Sequence, residues 1–107
     1  MVEQALQLDL LFTALSDSTR RSILSKVATV EMSISEIAEH YHLTVAAISK
    51  HIMVLERAGL IVKRRRGKEQ IVIIVPKQFG VANKYIQRYA NLQSQRYNKL
   101  EELLKED

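Results

Sequence analysis

Two helix-start signals lie close together in the middle of the chain and limit how it can fold. Residues 33–36, SISE, match the capping box, in which a serine hydroxyl and a later glutamate satisfy free backbone N–H groups. Thr44 is the next candidate N-cap, and Gly59 suits the left-handed residue that often ends a helix. The spacing predicts two short helices, at about 34–41 and about 44–58, which form a helix-turn-helix.

A β-hairpin is predicted directly after the second helix. Residues 60–62, LIV, begin one strand, and residues 70–75, QIVIIV, are rich in β-branched side chains and form the clearest strand. The segment RGKE at 66–69 is a turn signal, and Pro76 closes the hairpin. We therefore predict a mainly α winged helix-turn-helix with a two-stranded β-wing at about residues 60–76.

The excess positive charge of the chain lies on and beside this hairpin. The chain holds 16 Lys+Arg and 12 Asp+Glu, a net charge of +4, and residues 56–69 alone sum to that value. A basic ribbon beside an exposed helix predicts a polyanion partner, here double-stranded DNA. The alternatives are a solvated hairpin that binds nothing and a hairpin that binds an acidic protein partner. The wing cations predicted to contact phosphate are Lys63, Arg64, Arg65, Arg66 and Lys68.

The helix at about 44–58 is predicted to present small side chains and one cation to the DNA. Its apolar residues at i, i+4 and i+7 face the core, so Val45, Ala46, Ser49, Lys50 and Met53 point outward. Lysine and serine can donate to bases or phosphates, and the valine and alanine methyls can touch thymine methyl groups. For His51, at the edge of the buried face, a structural hydrogen bond and a phosphate contact both remain open.

The first and last helices carry more apolar surface than one small domain can cover. Residues ~3–15 have one apolar stripe, and Leu6 and Leu10 add a second. The stretch 79–104 predicts one helix of about 38 Å with three tyrosines along it. We predict a homodimer through both helices; the alternative is a last helix folded back on its own domain. The predicted interface residues are Leu8, Leu11, Phe12, Tyr85, Tyr89, Tyr97 and Leu100.

Asp17 is predicted to cap a helix at about 18–28. Arg20 and Arg21 lie in its first turn, where the helix dipole disfavours cations, so they need a partner. The choice is between a local ion pair with Asp17 and a phosphate, and we predict the ion pair.

Composition excludes several classes of function. The chain has no cysteine, which removes disulfides and thiolate metal sites. No nucleophile motif, phosphate-binding glycine loop or paired carboxylates are evident, so we predict no catalytic residues and no cofactor. His40 and His42, near acidic residues, would lie at an exposed helix end, and we predict no metal site there. No apolar run approaches the ~20 residues of a membrane span. We expect a single cytoplasmic domain over 1–107 with no membrane partner.

The segments ALSDSTRRSIL (14–24) and SISEIAEHYHLTVAAISKHIMVLERAGLI (33–61), followed by the basic hairpin, resemble the ArsR family of winged-helix repressors. The resemblance covers about residues 5–76 and implies a homodimeric repressor that binds an inverted-repeat operator. It implies operator binding through the helix at 44–58, and the DNA-facing residues would be Thr44, Ala46, Ser49, Lys50 and His51.

Metal-sensing members of that family use cysteines on the helix corresponding to 34–41, or His/Asp pairs on the last helix. Neither type of metal site can be built here, because the chain has no cysteine and residues 79–104 contain no histidine and no aspartate. The resemblance therefore implies a regulator without those metal sites, whose effector is unknown.

Overall fold

The computed structural model describes residues 2–105, which form five helices and three strands. Ser16 and Asp17 separate the first two helices, and the last helix follows the hairpin directly. In chain order the elements are α1 Val2–Leu15, α2 Ser18–Val27, β1 Met32–Ser33, α3 Ile34–Tyr41, α4 Val45–Arg57, β2 Ile61–Arg66, β3 Glu69–Ile74 and α5 Pro76–Lys105.

Side-chain caps begin three of these helices. The Asp17 carboxylate accepts from the backbone N–H of Arg20, and the Thr44 hydroxyl accepts from that of Ala47. At α3 both halves of the capping box are present, with Ser33 Oγ accepting from the Glu36 N–H and Glu36 accepting from the Ser33 N–H. Each cap satisfies a donor that has no partner within its own helix, so the predicted helix starts are confirmed.

The core lies between the first four helices and the inner face of the sheet. It is built almost entirely of aliphatic side chains, and the part of the chain described has no buried side-chain polar atom without a partner. Its largest fully buried side chains are Leu11, Ile23, Ile37, Ile48, Ile52, Leu55, Leu60, Ile61 and Val72. Complete burial of an aliphatic side chain contributes about 1.5–3 kcal/mol, so these residues fix the packing of α4.

The predicted wing is present and belongs to a three-stranded antiparallel sheet. β2 pairs with β3 from Ile61 opposite Ile74 to Arg66 opposite Glu69, and Gly67 at φ +61° lies in the turn. On the other side of β3, β1 pairs Met32 with Val72. The predicted fold class is confirmed. β1 is an additional strand, and its two residues are too few for a sequence pattern to predict it.

Two predictions about the terminal helices need correction. Leu11, predicted to lie in a dimer interface, has 0% of its surface exposed and packs in the core of its own chain. The last helix begins at Pro76 instead of Phe79, because proline is well tolerated at the first position of a helix, where its missing N–H would have no partner.

α5 projects beyond the rest of the molecule. Its 30 residues correspond to a length of about 45 Å, and the longest dimension of the molecule is 70 Å. Among its described residues only Ala82 is buried. No helix within residues 2–105 is both long and apolar enough to cross a membrane.

Candidate nucleic-acid interface

The position of α4 is set by its apolar stripe and by the glycine that ends it. Ile48, Ile52 and Leu55 are at most 1% exposed and hold the inner face of the helix on the core. Gly59 adopts φ +75°, a left-handed conformation that favours glycine. A Cβ atom there would also lie 2.8 Å from Cγ of Gln78. The chain can therefore turn sharply from α4 into the wing.

The outer face of α4 is open to solvent and only sparsely charged. Ala46, Lys50, Met53 and Arg57 recur at steps of four, three and four residues, so they share one face, and all four are exposed. Val45, in the first turn, is 51% exposed, and Met53 is 46% exposed. The predicted outward direction of Val45, Ala46, Lys50 and Met53 agrees with these exposures.

Two of the predicted DNA-facing side chains lie at the flanks of α4. Ser49 and His51 are half-buried, whereas Thr44 is exposed at the N-terminus of the helix. His51 Nδ1 lies 3.3 Å from Nη1 of Arg20 and 3.9 Å from Oδ2 of Asp17. One ring nitrogen of His51 is thus engaged inside the protein, which agrees with the structural alternative for this residue.

Arg20 joins α1, α2 and α4. Its Nε donates to the carbonyl oxygen of Ala14 at 2.9 Å, and its Nη2 donates to that of Thr13 at 2.8 Å. These carbonyls lie in the last turn of α1, where the helix dipole attracts cations. The predicted ion pair of Arg20 with Asp17 is therefore replaced by a capping role for the guanidinium on the preceding helix.

Asp17 is also part of this junction of α1, α2 and α4. The backbone N–H of Arg20 donates to its carboxylate at 3.0 Å. This hydrogen bond is the main cause that lowers the pKa of Asp17 from its usual 3.8, and the charges of Arg20 and His51 act in the same direction. The ionised carboxylate thus stabilises the start of α2 beside the recognition helix.

The wing cations differ in their partners. Lys63 forms an ion pair with Glu56 of α4 at 3.5 Å, and Arg66 pairs with Glu31 at 2.6 Å. The hydrogen bond from Arg66 to Glu31 raises the pKa of that guanidinium above its usual value. Both pairs are exposed to solvent, so each contributes little to the stability of the fold.

The other three wing cations have no carboxylate partner in the described part of the chain. Arg65 Nε donates to the carbonyl oxygen of Gly67 at 3.1 Å, and no ion pair within 4.0 Å involves Arg64, Arg65 or Lys68. All three side chains are exposed. The structure therefore divides the wing into cations that are paired with a carboxylate and cations that are not.

The predicted dimer residues lie along α1 and α5, and three of them form an aromatic cluster between the two helices. The Phe12 and Tyr85 rings are 5.7 Å apart, and the Tyr85 and Tyr89 rings are 5.2 Å apart. Leu8 is half-buried against the core, and Tyr97 and Leu100 are exposed farther along α5. Other exposed apolar residues on the two helices, outside the predicted set, are Leu6, Leu10, Ile86, Leu92, Leu103 and Leu104.

No metal-ligand cluster is found in the described part of the chain. Residues 2–105 contain no group of three histidine, cysteine, aspartate or glutamate side chains that could hold an ion. His40 packs edge-on against Tyr41, with ring centroids 4.8 Å apart, and His42 ends α3 in a left-handed conformation. These histidines therefore have local packing and capping roles.

Residues 17–63 match the family model described as bacterial regulatory protein, arsR family. The chain is 40% identical over 72 residues to the uncharacterized HTH-type transcriptional regulator YuzN of Bacillus subtilis, and the match covers 61% of this chain and 78% of that protein. It is 39% identical over 57 residues to the transcriptional repressor SdpR of the same organism, with 53% of this chain and 63% of that protein covered.

Solved structures show the same fold. An ArsR-like transcriptional regulator from Rhodococcus sp. RHA1 superposes with a TM-score of 0.84 at 23% identity, over 100% of this chain and 98% of that chain. The homodimeric winged helix-turn-helix DNA-binding domain Mb0332 from Mycobacterium bovis superposes with a TM-score of 0.63 at 23% identity, over 84% of this chain and 81% of that chain. At these identities the likeness concerns the fold alone.

Proposed function

The chain belongs to the ArsR family of DNA-binding transcriptional regulators, and on that premise we propose that it is a homodimeric repressor of an inverted-repeat operator. This family consists of regulators and not of enzymes. The repressor role is supported by the similarity to SdpR, which is named a repressor. The protein would act over residues 1–107 as one domain, with α4 in the major groove and the wing on the phosphate backbone.

The observation that carries this proposal is the placement of an exposed helix face beside a basic strand. Lys50 extends from the outer face of α4, and β2 begins four residues after α4 ends, joined to it by the Glu56–Lys63 ion pair. Phosphate contacts provide most of the affinity of such proteins and base contacts provide the specificity. We propose DNA contacts for Thr44, Val45, Ala46, Ser49, Lys50 and the wing cations Lys63, Arg64, Arg65, Arg66 and Lys68. For His51 the contact would be made through Nε2, since Nδ1 lies beside Arg20.

The dimer is supported by apolar surface that the chain itself leaves open. Tyr89 is 58% exposed and Leu100 is 54% exposed, on a helix with only one buried residue among those described. Several large apolar side chains exposed along one helix are typical of an interface. The homodimeric Mycobacterium bovis domain has the same fold. A two-fold axis along α1 and α5 would present two α4 helices to successive major grooves, about 34–36 Å apart.

Selection of bound sequences from random duplex DNA tests the function. We expect an inverted repeat with half-site centres about 10–10.5 base pairs apart. Replacing Lys50 with alanine should weaken binding to the selected operator more than to random DNA, since only a base contact is sequence-specific. Equal losses for both kinds of DNA would mean that Lys50 contacts only the phosphate backbone. If no duplex binds at low salt, the result would favour the alternative, a module that binds an acidic protein.

Sedimentation of α5 variants tests the dimer separately. Leu100→Glu places a charge on the apolar stripe and should shift the protein to a monomer. Gln95→Glu places the same charge about 140° around α5 from Leu100, away from the stripe, and should leave the dimer intact. Dimers of equal stability in both variants would remove α5 from the interface.

A further inference from the structure

The part of α4 that would enter the groove has an unusual set of side chains. Residues 44–53, TVAAISKHIM, include no arginine, asparagine, glutamine, aspartate or glutamate. Those residues, together with lysine, recognise guanine, adenine and cytosine by paired or charge-assisted hydrogen bonds in the major groove. Lys50 is the one exposed charged group in this segment, and Ser49 is half-buried. Hydrogen bonding can therefore account for only a small part of base readout by this helix.

What α4 presents instead is hydrocarbon. Val45 and Met53 keep about half of their surface exposed, at 51% and 46%, and Ala46 lies beside them with a single methyl group. None of these residues belongs to the core or packs against it. In the major groove the one apolar feature of a base edge is the C5-methyl group of thymine. Exposed apolar side chains on a helix that enters the major groove thus have one complementary base.

We propose that α4 recognises thymine in its operator through the C5-methyl group, which Val45, Ala46 and Met53 contact. This inference rests on the proposed function and specifies the DNA that the same helix reads. Val45 and Met53 are separated by about 12 Å along the helix axis, which corresponds to roughly four base pairs. The recognised thymines therefore lie inside a stretch of about four base pairs in each half-site. Lys50 adds one polar contact in the same stretch.

Deoxyuridine provides the direct test, because it keeps every hydrogen-bonding group of thymine and lacks only the methyl group. The operator selected from random DNA is synthesised with deoxyuridine at one thymine at a time, and the dissociation constant is measured for each duplex. We expect a loss of about fourfold for each contacted methyl, equivalent to ~0.8 kcal/mol. Thymines outside the α4 footprint should show no loss. Affinity unchanged at every position would overturn the inference.

Side-chain variants separate a methyl contact from a change in DNA shape. In Val45→Ala or Met53→Ala, the penalty of deoxyuridine at the contacted thymine should shrink, since the partner of the methyl is gone. Val30→Ala is the matched control, because Val30 is 46% exposed in the turn between α2 and β1, away from α4. It should keep the full penalty. A penalty of equal size in the wild-type protein and all three variants would assign the effect to DNA shape and reject the proposed contacts.

The two hypotheses fail in different ways. Failure to select any operator would contradict the proposed function, whereas an operator that binds equally well with thymine or deoxyuridine would contradict only the methyl readout. The salt dependence adds a further check. Removing a methyl group changes no charge, so the slope of log K_obs against log[salt] should be the same for thymine and deoxyuridine duplexes.

Discussion

The recognition helix and the wing are neighbours in the structure but have opposite chemical character. α4 is held by three buried aliphatic residues, and its outer face combines the hydrocarbon of Val45, Ala46 and Met53 with the two cations Lys50 and Arg57. β2 buries only Ile61, and after the exposed Val62 it continues as four consecutive cations. A surface of hydrocarbon can distinguish bases but gains little from phosphates, whereas a cationic strand does the reverse. Sequence dependence and salt dependence of binding should therefore be separable by mutation.

The two regions are also attached to the domain in different ways. α4 contacts the α1–α2 junction through His51, whose ring lies against Arg20 and Asp17. The base of the wing is anchored by Ile61 and Val72 in the core, but the only ion pairs of its cations among residues 2–105 are two exposed ones, Lys63 with Glu56 and Arg66 with Glu31. Exposed pairs of this kind contribute about 0–1 kcal/mol. The orientation of α4 is thus set by the core, whereas the wing cations are held only by weak contacts.

The largest effect should follow from removing the unpaired wing cations. In a dimer, Arg64→Ala with Arg65→Ala removes four charges that have no carboxylate partner. The slope of log K_obs against log[salt] should flatten by up to about 3.6, with an affinity loss on the order of a hundredfold or more at physiological salt. Titrations of one duplex at several salt concentrations measure both quantities.

The paired cations provide the control for that experiment. Lys63→Ala with Arg66→Ala removes the same number of charges, but both are already neutralised by Glu56 and Glu31. We expect a smaller change in slope than for the variant that lacks Arg64 and Arg65. Equal changes would mean that the ion pairs break completely on DNA, and an unchanged slope for Arg64 and Arg65 would remove these two residues from the mechanism.

An intermediate effect of opposite sign should follow from removing the acidic partners. Glu56→Gln with Glu31→Gln frees Lys63 and Arg66 for phosphate and lowers the local negative charge. Binding to random duplex DNA should strengthen several-fold, and the salt slope should steepen by up to about 0.9 for each cation released. Glu39→Gln is the matched control, since Glu39 is exposed on α3 and outside every ion pair of residues 2–105. Because Glu39→Gln removes one charge and the double variant removes two, a strengthening by Glu39→Gln that is half of that in the double variant would indicate a general effect of net charge.

The helix starts and the wing could be predicted because their causes are local. A serine hydroxyl three residues before a glutamate, or a run of β-branched residues before a proline, determines the conformation of the nearby backbone with little help from distant residues. The outward residues of α4 followed from helical periodicity for the same reason. β1 was missed because a two-residue strand exists only through its pairing with Val72 and Ile71.

Predictions that depended on distant partners were less complete. Leu11 lies on the same apolar stripe as residues predicted to meet a second chain. Only its burial in the core, with α2, α4 and α5 packed against α1, shows that it is internal. The partners of the wing cations are also distant, since Arg66 meets Glu31 from the other side of the sheet. Helical spacing and net charge contain no information about such contacts, so the division of the wing into paired and unpaired cations required the structure.

The smallest effect concerns how α4 is anchored, and acid titration of the fold tests it. The pKa of Asp17 is lowered in the folded protein, chiefly by the N–H of Arg20, so its ionised form stabilises the fold. That contribution is fully present above the unfolded pKa near 3.8 and is lost as the pH falls through the lower folded value.

Asp17→Asn keeps a good N-cap but cannot titrate, so its free energy of unfolding should fall less steeply on acidification than that of the wild-type protein. Asp17→Ala, which loses the cap as well, should be less stable than the asparagine variant at every pH. The free energy of unfolding is measured by denaturant unfolding at several pH values. Parallel pH profiles for the wild-type protein and Asp17→Asn would show that the charge of Asp17 does not stabilise the α1–α2 junction. In that case the anchoring of α4 would rest on Arg20 and the aliphatic core alone, and the contrast with the wing would be one of packing instead of charge.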